Sequence, residues 1–487
     1  MRWPCGPLDI ERERRREGFT PAEADALRQW SEPRALELLA GTPVSCLVVT
    51  WAEGRAGDGE AEDEEHQRAI APLIAAARWR GLSVVGWAGE RADLRRAAEA
   101  AFAAGLDALA TTSTESVPGI GVLRFREHGS GDRSPTGFLG VSGAVWPGMK
   151  VDPEGDVDAS SGPTGPPWID SNAWYVRLVR TLVRPETLWL SFDPPQAAEP
   201  LSPAAYVQAI ADTEIYGARW VVSLDPHLRQ GLSEGRASAV ECWAEIARSL
   251  DFFEAHRGWT DYRPVGHLGV VSDFSGENEF LSFEVLNLLA RQSSLYRILE
   301  KTRALADPLD GLHALLYVDE APAESALLRG LYAFAESGGT LIAPPGWEAR
   351  GEPADDAWLP GFRVFRYGTG RLAIAREELT DPQRLAEDAQ LLMSHRHDPV
   401  RLFNPGTAVS HYATSEDGGS GVLHLLRFAT RPFRMPITAW FRKPWSSGRT
   451  WRHDAFAAEP TERTAVRSGV EFHLPSVSVY SVLEVSA

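Results

Sequence analysis

The phrase Ser-X-Asp-Pro occurs twice in the sequence, each time at the end of a predicted β-strand. Ser191-Phe192-Asp193-Pro194 and Ser223-Leu224-Asp225-Pro226 lie one strand-helix unit apart. In parallel α/β folds the carboxyl ends of the strands form the rim on which catalytic groups sit. Carboxyl groups on neighbouring strand ends can lie roughly 5 to 10 Å apart, as paired acids in glycoside hydrolysis do. The phrases make Asp193 and Asp225 candidates for acid, base or nucleophile.

A structural interpretation of the same phrase stays open. Asp-Pro after a strand is ordinary turn chemistry, in which the Asp caps the segment that follows. Glu53 and Glu90 are further candidates, because each closely follows the end of a predicted strand. Asp170 is another, because it joins an irregular segment to the start of a predicted helix.

Tryptophan is the second chemical signal, with 17 Trp against 10 Tyr. Trp51 and Trp87 fall at the carboxyl ends of predicted strands, and Trp174 lies beside the long irregular segment 152–167. Indole faces stack on sugar rings as readily as they fill cores, so we predict these three as substrate-binding platforms with core packing as the alternative. Asn172 either caps the helix that begins near Asp170 or binds a substrate hydroxyl.

Other motifs are weak. His395-Arg396-His397-Asp398 offers two imidazoles at a helix end, which alone is a poor metal signal. No complete dinucleotide or phosphate-loop fingerprint and no Gly-x-Ser-x-Gly elbow occurs. We therefore predict no metal and no cofactor.

The elements that must position these residues alternate regularly in residues 1–262. Short apolar runs rich in β-branched residues alternate with helical segments that end at glycines, as at Gly81 and Gly105. This alternation predicts parallel strands with helical crossovers. A (β/α)8 TIM-type barrel fits the length best, with a closing strand that is hard to see.

Two further domains are predicted. Residues 263–398 show a strand and helix order typical of a small flavodoxin-like α/β domain. Residues 399–487 contain strands and turns without a convincing helix, which predicts a β-sandwich.

Composition limits the function classes. The chain has 49 basic and 67 acidic residues, a net charge of −18, so it would repel a polyanion such as nucleic acid. The dense basic run, residues 11–17, carries its own acids and is predicted to be a solvated helix face.

Three scattered cysteines exclude a disulfide framework. The sequence contains no run of about 18 apolar residues, so no membrane span is predicted. No signal peptide is visible, so the expectation is a cytoplasmic protein, or a secreted or periplasmic one if a leader was trimmed.

The order barrel, flavodoxin-like domain, β-domain resembles that of the family 42 β-galactosidases. Gly266-His267-Leu268-Gly269-Val270-Val271-Ser272-Asp273 and Gly338-Gly339-Thr340-Leu341-Ile342 look like their middle domain, which is similar to class I glutamine amidotransferases. All three Cys lie outside this stretch, so the domain lacks an amidotransferase nucleophile. The resemblance implies a non-catalytic domain that serves homo-oligomerisation. The family's Asn-Glu pair after the fourth strand is missing, because the one Asn-Glu here is Asn278-Glu279.

The leading hypothesis is a glycoside hydrolase acting on an oligosaccharide or glycoside, with Asp193 and Asp225 sharing the catalytic roles. One alternative is a non-catalytic carbohydrate-binding or scaffold protein that keeps this architecture. The other is a metal-dependent barrel hydrolase.

Overall fold

The computed structural model describes residues 1–54, 59–129, 136–150, 168–195, 199–304, 309–321, 323–354, 358–428, 435–455, 457–475, 477 and 479–487. The chain divides into two compact units. Unit 1 comprises Met1–Pro147 and Pro185–Arg257, and unit 2 comprises Gly148–Arg184 and Gly258–Ala487. No helix in the described part is long and apolar enough to cross a membrane.

The described residues form eleven α-helices: α1 Gly6–Arg14, α2 Pro21–Trp30, α3 Gly59–Trp79, α4 Leu94–Ala103, α5 Ala173–Leu182, α6 Pro203–Glu214, α7 Pro226–Ser233, α8 Ala237–Ala255, α9 Glu279–Arg291, α10 Ser325–Glu336 and α11 Pro382–Met393. Short 3-10 turns at Pro33–Leu39, Arg257–Asp261, Gly276–Asn278 and His395–His397 connect some of them.

The strands of the first half of the described chain are β1 Cys46–Ala52, β2 Ser83–Ala88, β3 Ala108–Thr111, β4 Gly121–Glu127, β5 Phe138–Ser142, β6 Gly148–Lys150, β7 Trp168–Asp170, β8 Thr187–Ser191 and β9 Arg219–Trp220. Those of the second half are β10 Arg263–Pro264, β11 Leu268–Ser272, β12 Tyr296–Glu300, β13 Ala314–Tyr317, β14 Thr340–Ala343, β15 Glu352–Pro353, β16 Phe362–Tyr367, β17 Gly370–Ala375, β18 Val400–Phe403, β19 Ala408–Thr414, β20 Ser420–Arg427, β21 Ile437–Phe441, β22 Ser447–Arg452, β23 Glu459–Pro460, β24 Glu462–Val466, β25 Gly469–Leu474 and β26 Tyr480–Ser486.

Unit 1 is a parallel barrel, which confirms the predicted fold class. Its seven described strands run in the order β1-β2-β3-β4-β5-β8-β9, and every neighbouring pair is parallel. The segment Met1–Trp3 closes the ring between the last strand and the first. The Arg2 N–H donates to the Val222 carbonyl at 2.8 Å, and the Trp3 N–H donates to the Val48 carbonyl at 2.8 Å. The closing strand that the sequence hides is therefore this short segment.

The barrel interior is lined by aliphatic and aromatic side chains. A buried cluster takes alternate residues from strands around the ring, including Val48, Val85 and Phe125, with Trp87 and Trp189 packed against it. Trp87 meets Phe125 edge to face at 5.1 Å between ring centroids. Because side chains alternate across a strand, residues of the opposite parity face outward under the helices.

Unit 2 contains an open α/β sheet of the predicted flavodoxin-like type. Its parallel strands run in the order β12-β11-β13-β14-β17, and β16 and β15 extend it in the antiparallel sense. This 2-1-3-4-5 order is the doubly wound pattern, in which the chain crosses from one side of the first strand to the other. Apolar residues of α9 and α11 cover one face of the sheet, and those of α10 cover the other.

The predicted C-terminal β-sandwich also lies in unit 2. One antiparallel sheet has the order β10-β19-β20-β26-β22-β23, and the other has the order β18-β21-β25-β24. Leu423 and Leu483 of the first sheet share a buried cluster with Phe441 and Phe472 of the second. Side chains from both inner faces therefore form one core.

The segment between β5 and β8 departs from the regular barrel pattern. Strands β6 and β7 pair with each other, and α5 packs on α9 and β12, so residues 148–184 group with unit 2. Asn172 occupies the N-cap position of α5, which starts at Ala173, but its side chain makes no capping hydrogen bond. The Ala173 N–H donates instead to Ser171 Oγ at 3.1 Å.

Candidate active site

A cavity of about 220 Å³ opens where the last barrel strands and the closing segment end. Asp193 follows β8, Asp225 follows β9, and Arg2 belongs to the closing segment. Arg12 and Arg16 contribute from α1 and the turn after it. The cavity thus lies at the carboxyl edge of the barrel, where parallel α/β barrels place their catalytic groups.

Asp193 presents its carboxylate to this cavity. The side chain is 65% exposed, and its Oδ1 accepts a 2.9 Å hydrogen bond from Arg2 Nη1. Strand alternation puts Asp193 on the same face as Trp189, which packs into the barrel interior. Among the described residues, Arg2 is the one side chain that donates a hydrogen bond to Asp193, so Asp193 keeps lone pairs available to a ligand.

Asp225 lines the same cavity but has a structural task. It is 3% exposed and is the N-cap of α7, with Oδ1 accepting from the Leu228 N–H at 3.0 Å. Its Oδ2 accepts from the Tyr206 hydroxyl at 2.7 Å, and that hydroxyl accepts in turn from the Asp225 N–H at 2.8 Å. The structure therefore shows the capping alternative for Asp225, since both of its oxygens are engaged.

Arg12 connects the cavity to other acids of the mouth. Its Nη2 lies 2.6 Å from Oδ1 of the fully buried Asp9. Burial alone would lower the pKa of Arg12, but the charges of Asp9, Asp193, Glu13 and Glu53 outweigh it and raise that pKa. Arg12 is therefore a fixed cation within electrostatic reach of two of the predicted carboxylates, Asp193 and Glu53.

The wall of the cavity is an ion-pair network that the sequence did not reveal. Glu13 accepts from Arg229 Nη2 at 3.1 Å and from Arg16 Nε at 3.3 Å, and Arg16 also pairs with Glu23. Arg14 and Arg15 are the well-exposed cations of the basic run, with more than half of each side chain in solvent, and Glu17 is exposed as well. The predicted solvated face therefore holds for Arg14 and Arg15, whereas Arg12, Glu13 and Arg16 turn toward the cavity. The i, i+1, i+4 spacing of these three residues is the sequence pattern that indicates a shared face.

Glu53 begins the loop after β1 and is half-buried. Its N–H donates to Asp63 Oδ1 at 3.1 Å. Burial is the main cause that raises the pKa of Asp63, and the charge of Glu53 adds to it. Beside it, His66 Nε2 contacts the Thr50 carbonyl at 2.8 Å, and its Nδ1 accepts from the Leu8 N–H at 3.2 Å. These contacts make His66 a neutral donor and acceptor, in line with a pKa lowered by burial.

Three further predicted residues of unit 1, Trp51, Trp87 and Glu90, lie outside the cavity. Trp51 is 1% exposed, and its Nε1–H donates to the Ala97 carbonyl at 2.9 Å, so the indole belongs to the packing between β1 and α4. Trp87 faces the barrel interior and is half-buried. Glu90 is exposed beyond the end of β2 and does not line the cavity described above.

Asp170, Asn172 and Trp174 lie in unit 2. Asp170 ends β7, where its charge contributes to the raised pKa of Glu284, which is caused chiefly by burial. Asn172 is fully buried, and Trp174 packs against Phe283 at 4.9 Å between ring centroids. The structure therefore groups Asp170 and Trp174 with residues of α9, and places all three in unit 2.

No group of three or more His, Cys, Asp or Glu side chains within the described ranges is arranged to hold a metal ion. The cavity offers guanidinium and carboxylate groups for hydrogen bonding instead. Such a site can bind hydroxyl groups and place a carboxylate against a reacting carbon or a water molecule.

Comparison with solved structures shows the same overall fold in a glycosidase. α-L-Fucosidase isoenzyme 2 from Paenibacillus thiaminolyticus matches with a TM-score of 0.55 and 12% identity, over 94% of this chain and 96% of that one. A β-galactosidase from Bacillus circulans sp. alkalophilus matches with a TM-score of 0.43 and 10% identity, over 89% and 70% of the two chains. An exo-β-1,4-mannosidase from Opitutaceae bacterium strain TAV5 matches with a TM-score of 0.44 and 13% identity, over 77% and 92%.

The first of these similarities establishes a shared fold, and the other two are too weak to support an argument. No family model matches the chain, and no curated protein matches it in sequence.

Proposed function

We propose that the chain is a glycoside hydrolase whose reactive carboxylate is Asp193. The observation that supports the proposal is the placement of an exposed, Arg2-paired carboxylate in a cavity at the carboxyl edge of the barrel. The shared fold with an α-L-fucosidase over nearly the whole length of both chains gives it context. Identity at this level assigns no substrate, so the sugar is left to experiment.

Glu53 is the second carboxylate of the proposal. It lies within electrostatic reach of Arg12, as Asp193 does, whereas Asp225 has both oxygens engaged as a helix cap. In hydrolysis one carboxyl group protonates the departing oxygen, while the other attacks the anomeric carbon or activates a water molecule. Trp87 is the proposed sugar platform, because its half-buried indole lies on the interior face of its strand.

A panel of aryl glycosides that includes the α-L-fucoside tests the proposal. We expect the wild-type protein to hydrolyse at least one member, and Asp193→Asn to lose about 10²- to 10⁴-fold in turnover. Asp25→Asn, which changes an exposed carboxylate of α2, is the matched control and should keep wild-type turnover. Full activity in Asp193→Asn would reject the assignment.

A second candidate function follows from Asp225. Since this carboxyl group is committed to a cap, one member of the predicted acid pair is unavailable, as expected of a carbohydrate-binding protein that keeps a glycosidase-like architecture. Saturable binding of sugars to the wild type without product after prolonged incubation would favour this candidate over the hydrolase.

A further inference from the structure

Unit 2 carries a cluster of basic side chains that the barrel chemistry does not use. His267 precedes β11, His313 precedes β13, and the 3-10 turn after α11 supplies His395, Arg396 and His397. All of them gather at the amino edge of the α/β sheet, around the buried Asp398. None of these residues lines the barrel cavity.

Part of the cluster has a structural explanation. Arg401 Nε donates to Asp398 Oδ2 at 3.0 Å, and Arg442 Nε donates to the Asp398 carbonyl at 3.1 Å. The same two guanidinium groups also donate to the carbonyls of His395 and Arg396. Cationic side chains commonly satisfy carbonyl groups at a helix end in this way.

The remaining side chains have no such partner. Within the described residues, the side chains of His313, Arg396 and His397 make no hydrogen bond or ion pair, and all three are exposed. The rings of His313 and His397 stack at 4.0 Å between centroids. Arg442 donates to the carbonyl of Arg396, directly before His397, and its charge adds to burial in lowering the pKa of both imidazoles.

The guanidinium groups of Arg396 and Arg442 supply the positive charge of this surface, and the two stacked imidazoles add N–H donors whose protonation is disfavoured by burial and by the charge of Arg442. Asp398 is the carboxylate of the cluster, and it is already shared by His395 at 2.7 Å and Arg401 at 3.0 Å. Below the cluster lies His267, which is 4% exposed and has no hydrogen-bond partner on either ring nitrogen among the described residues. Its Nε2 is 3.5 Å from Asp398 Oδ1. The Asp398 carboxylate is thus surrounded by its own partners. The N–H groups of His313, Arg396 and His397 remain for a ligand.

We propose that His313, Arg396, His397 and Arg442 form a binding site for a tetrahedral oxyanion, either phosphate or sulfate. Guanidinium and imidazolium N–H groups are the donors that such anions take, and a doubly charged anion would relieve the repulsion among them. Protonation of the two exposed imidazoles adds donors, so binding strengthens as the pH falls. The site does not depend on the activity proposed for the barrel.

Calorimetric titration with sodium sulfate and with sodium phosphate, at constant ionic strength in chloride, tests the site. We expect saturable binding that is tighter at pH 6.0 than at pH 7.5. Arg396→Gln and His313→Gln should each weaken it about tenfold, the loss of one charge-assisted hydrogen bond. Arg467→Gln is the matched control, because Arg467 is exposed in the turn between β24 and β25.

Glucose 6-phosphate and glucose distinguish a free ion from an anionic group on a larger ligand. Tighter binding of glucose 6-phosphate than of inorganic phosphate indicates a phosphorylated ligand, and equal or weaker binding indicates the free ion. Absence of saturable binding, or equal weakening in Arg396→Gln and Arg467→Gln, would overturn the site. Because no catalytic assay is involved, these results are independent of the glycosidase test.

Discussion

The carboxyl ends of β8 and β9 carry the same four-residue phrase but use it differently. Asp193 is largely exposed and pairs with Arg2 in the cavity. Asp225 is buried and satisfies the Leu228 N–H and the Tyr206 hydroxyl. The same residue type, on adjacent parallel strands, is thus available for chemistry in one place and fully occupied by structure in the other.

The residue after the phrase explains the difference. Pro226 is followed by His227, and α7 begins at once with proline at its first position, where the missing N–H costs nothing. Pro194 is followed by Pro195, which disfavours a helical conformation at Pro194, and the next described helix starts only at Pro203. Among the described residues no helix starts directly after Asp193, and its carboxylate accepts no backbone hydrogen bond from them.

Removing the cap from α7 should give the largest change in stability. Asp225→Ala loses the bond to the Leu228 N–H and leaves the Tyr206 hydroxyl without its acceptor in the core, so we expect about 2 to 4 kcal/mol less free energy of unfolding. Urea denaturation followed by tryptophan fluorescence measures this. Asp193→Ala should change the same quantity by less than about 1 kcal/mol, and equal losses in both variants would remove the distinction.

Glu214, a third carboxylate at the opposite end of the barrel, makes stability depend on pH. Burial raises the pKa of Glu214 to about 7, although Arg219 Nη1 lies 3.3 Å away. The folded state therefore holds a proton that the unfolded state releases near pH 4.5. The contribution of Glu214 to stability is fully present below pH 4.5 and is lost as the pH rises through 7.

Glu214→Gln removes this dependence. We expect the wild type to lose up to about 3 kcal/mol of unfolding free energy between pH 5 and pH 8 from this group, and the variant to lose correspondingly less. Glu234→Gln, at an exposed ion pair, is the control. Identical pH profiles for wild type and Glu214→Gln would show that Glu214 ionises as readily when folded as when unfolded.

The smallest expected effect on stability concerns the partner of Asp193. Arg2→Gln breaks an ion pair whose carboxylate is mostly exposed, so thermal unfolding should shift by the equivalent of less than about 1 kcal/mol. Turnover should fall by more than this stability change implies if Arg2 orients Asp193. Unchanged turnover would mean that the ion pair has no part in the chemistry.

The sequence predicted the architecture because apolar runs, glycine ends and the lengths between them repeat regularly. It missed the closing strand, since Met1–Trp3 is too short to show a pattern and is recognised only by its bonds to Val222 and Val48. It also could not separate Trp51 from Trp87. Parallel strands are apolar on both faces, so the outward Trp51 and the inward Trp87 carry the same signal.

The site itself was partly visible in sequence. The Ser-X-Asp-Pro phrases indicated the carboxyl edge of the barrel, where the candidate cavity lies, and the doubled proline after Asp193 held the information that distinguishes the two acids. Arg2, Arg12 and Arg229 were not identified, because they reach the cavity from distant segments that only the closed ring brings together.

One paired measurement tests the central claim most directly: kcat/KM on the best aryl glycoside and the free energy of unfolding, for Asp193→Asn and Asp225→Asn from the same preparations. We expect Asp193→Asn to lose at least about 10²-fold in kcat/KM with nearly unchanged stability, and Asp225→Asn to lose stability while its folded fraction stays active. An active Asp193→Asn together with a stable but inactive Asp225→Asn would contradict this expectation.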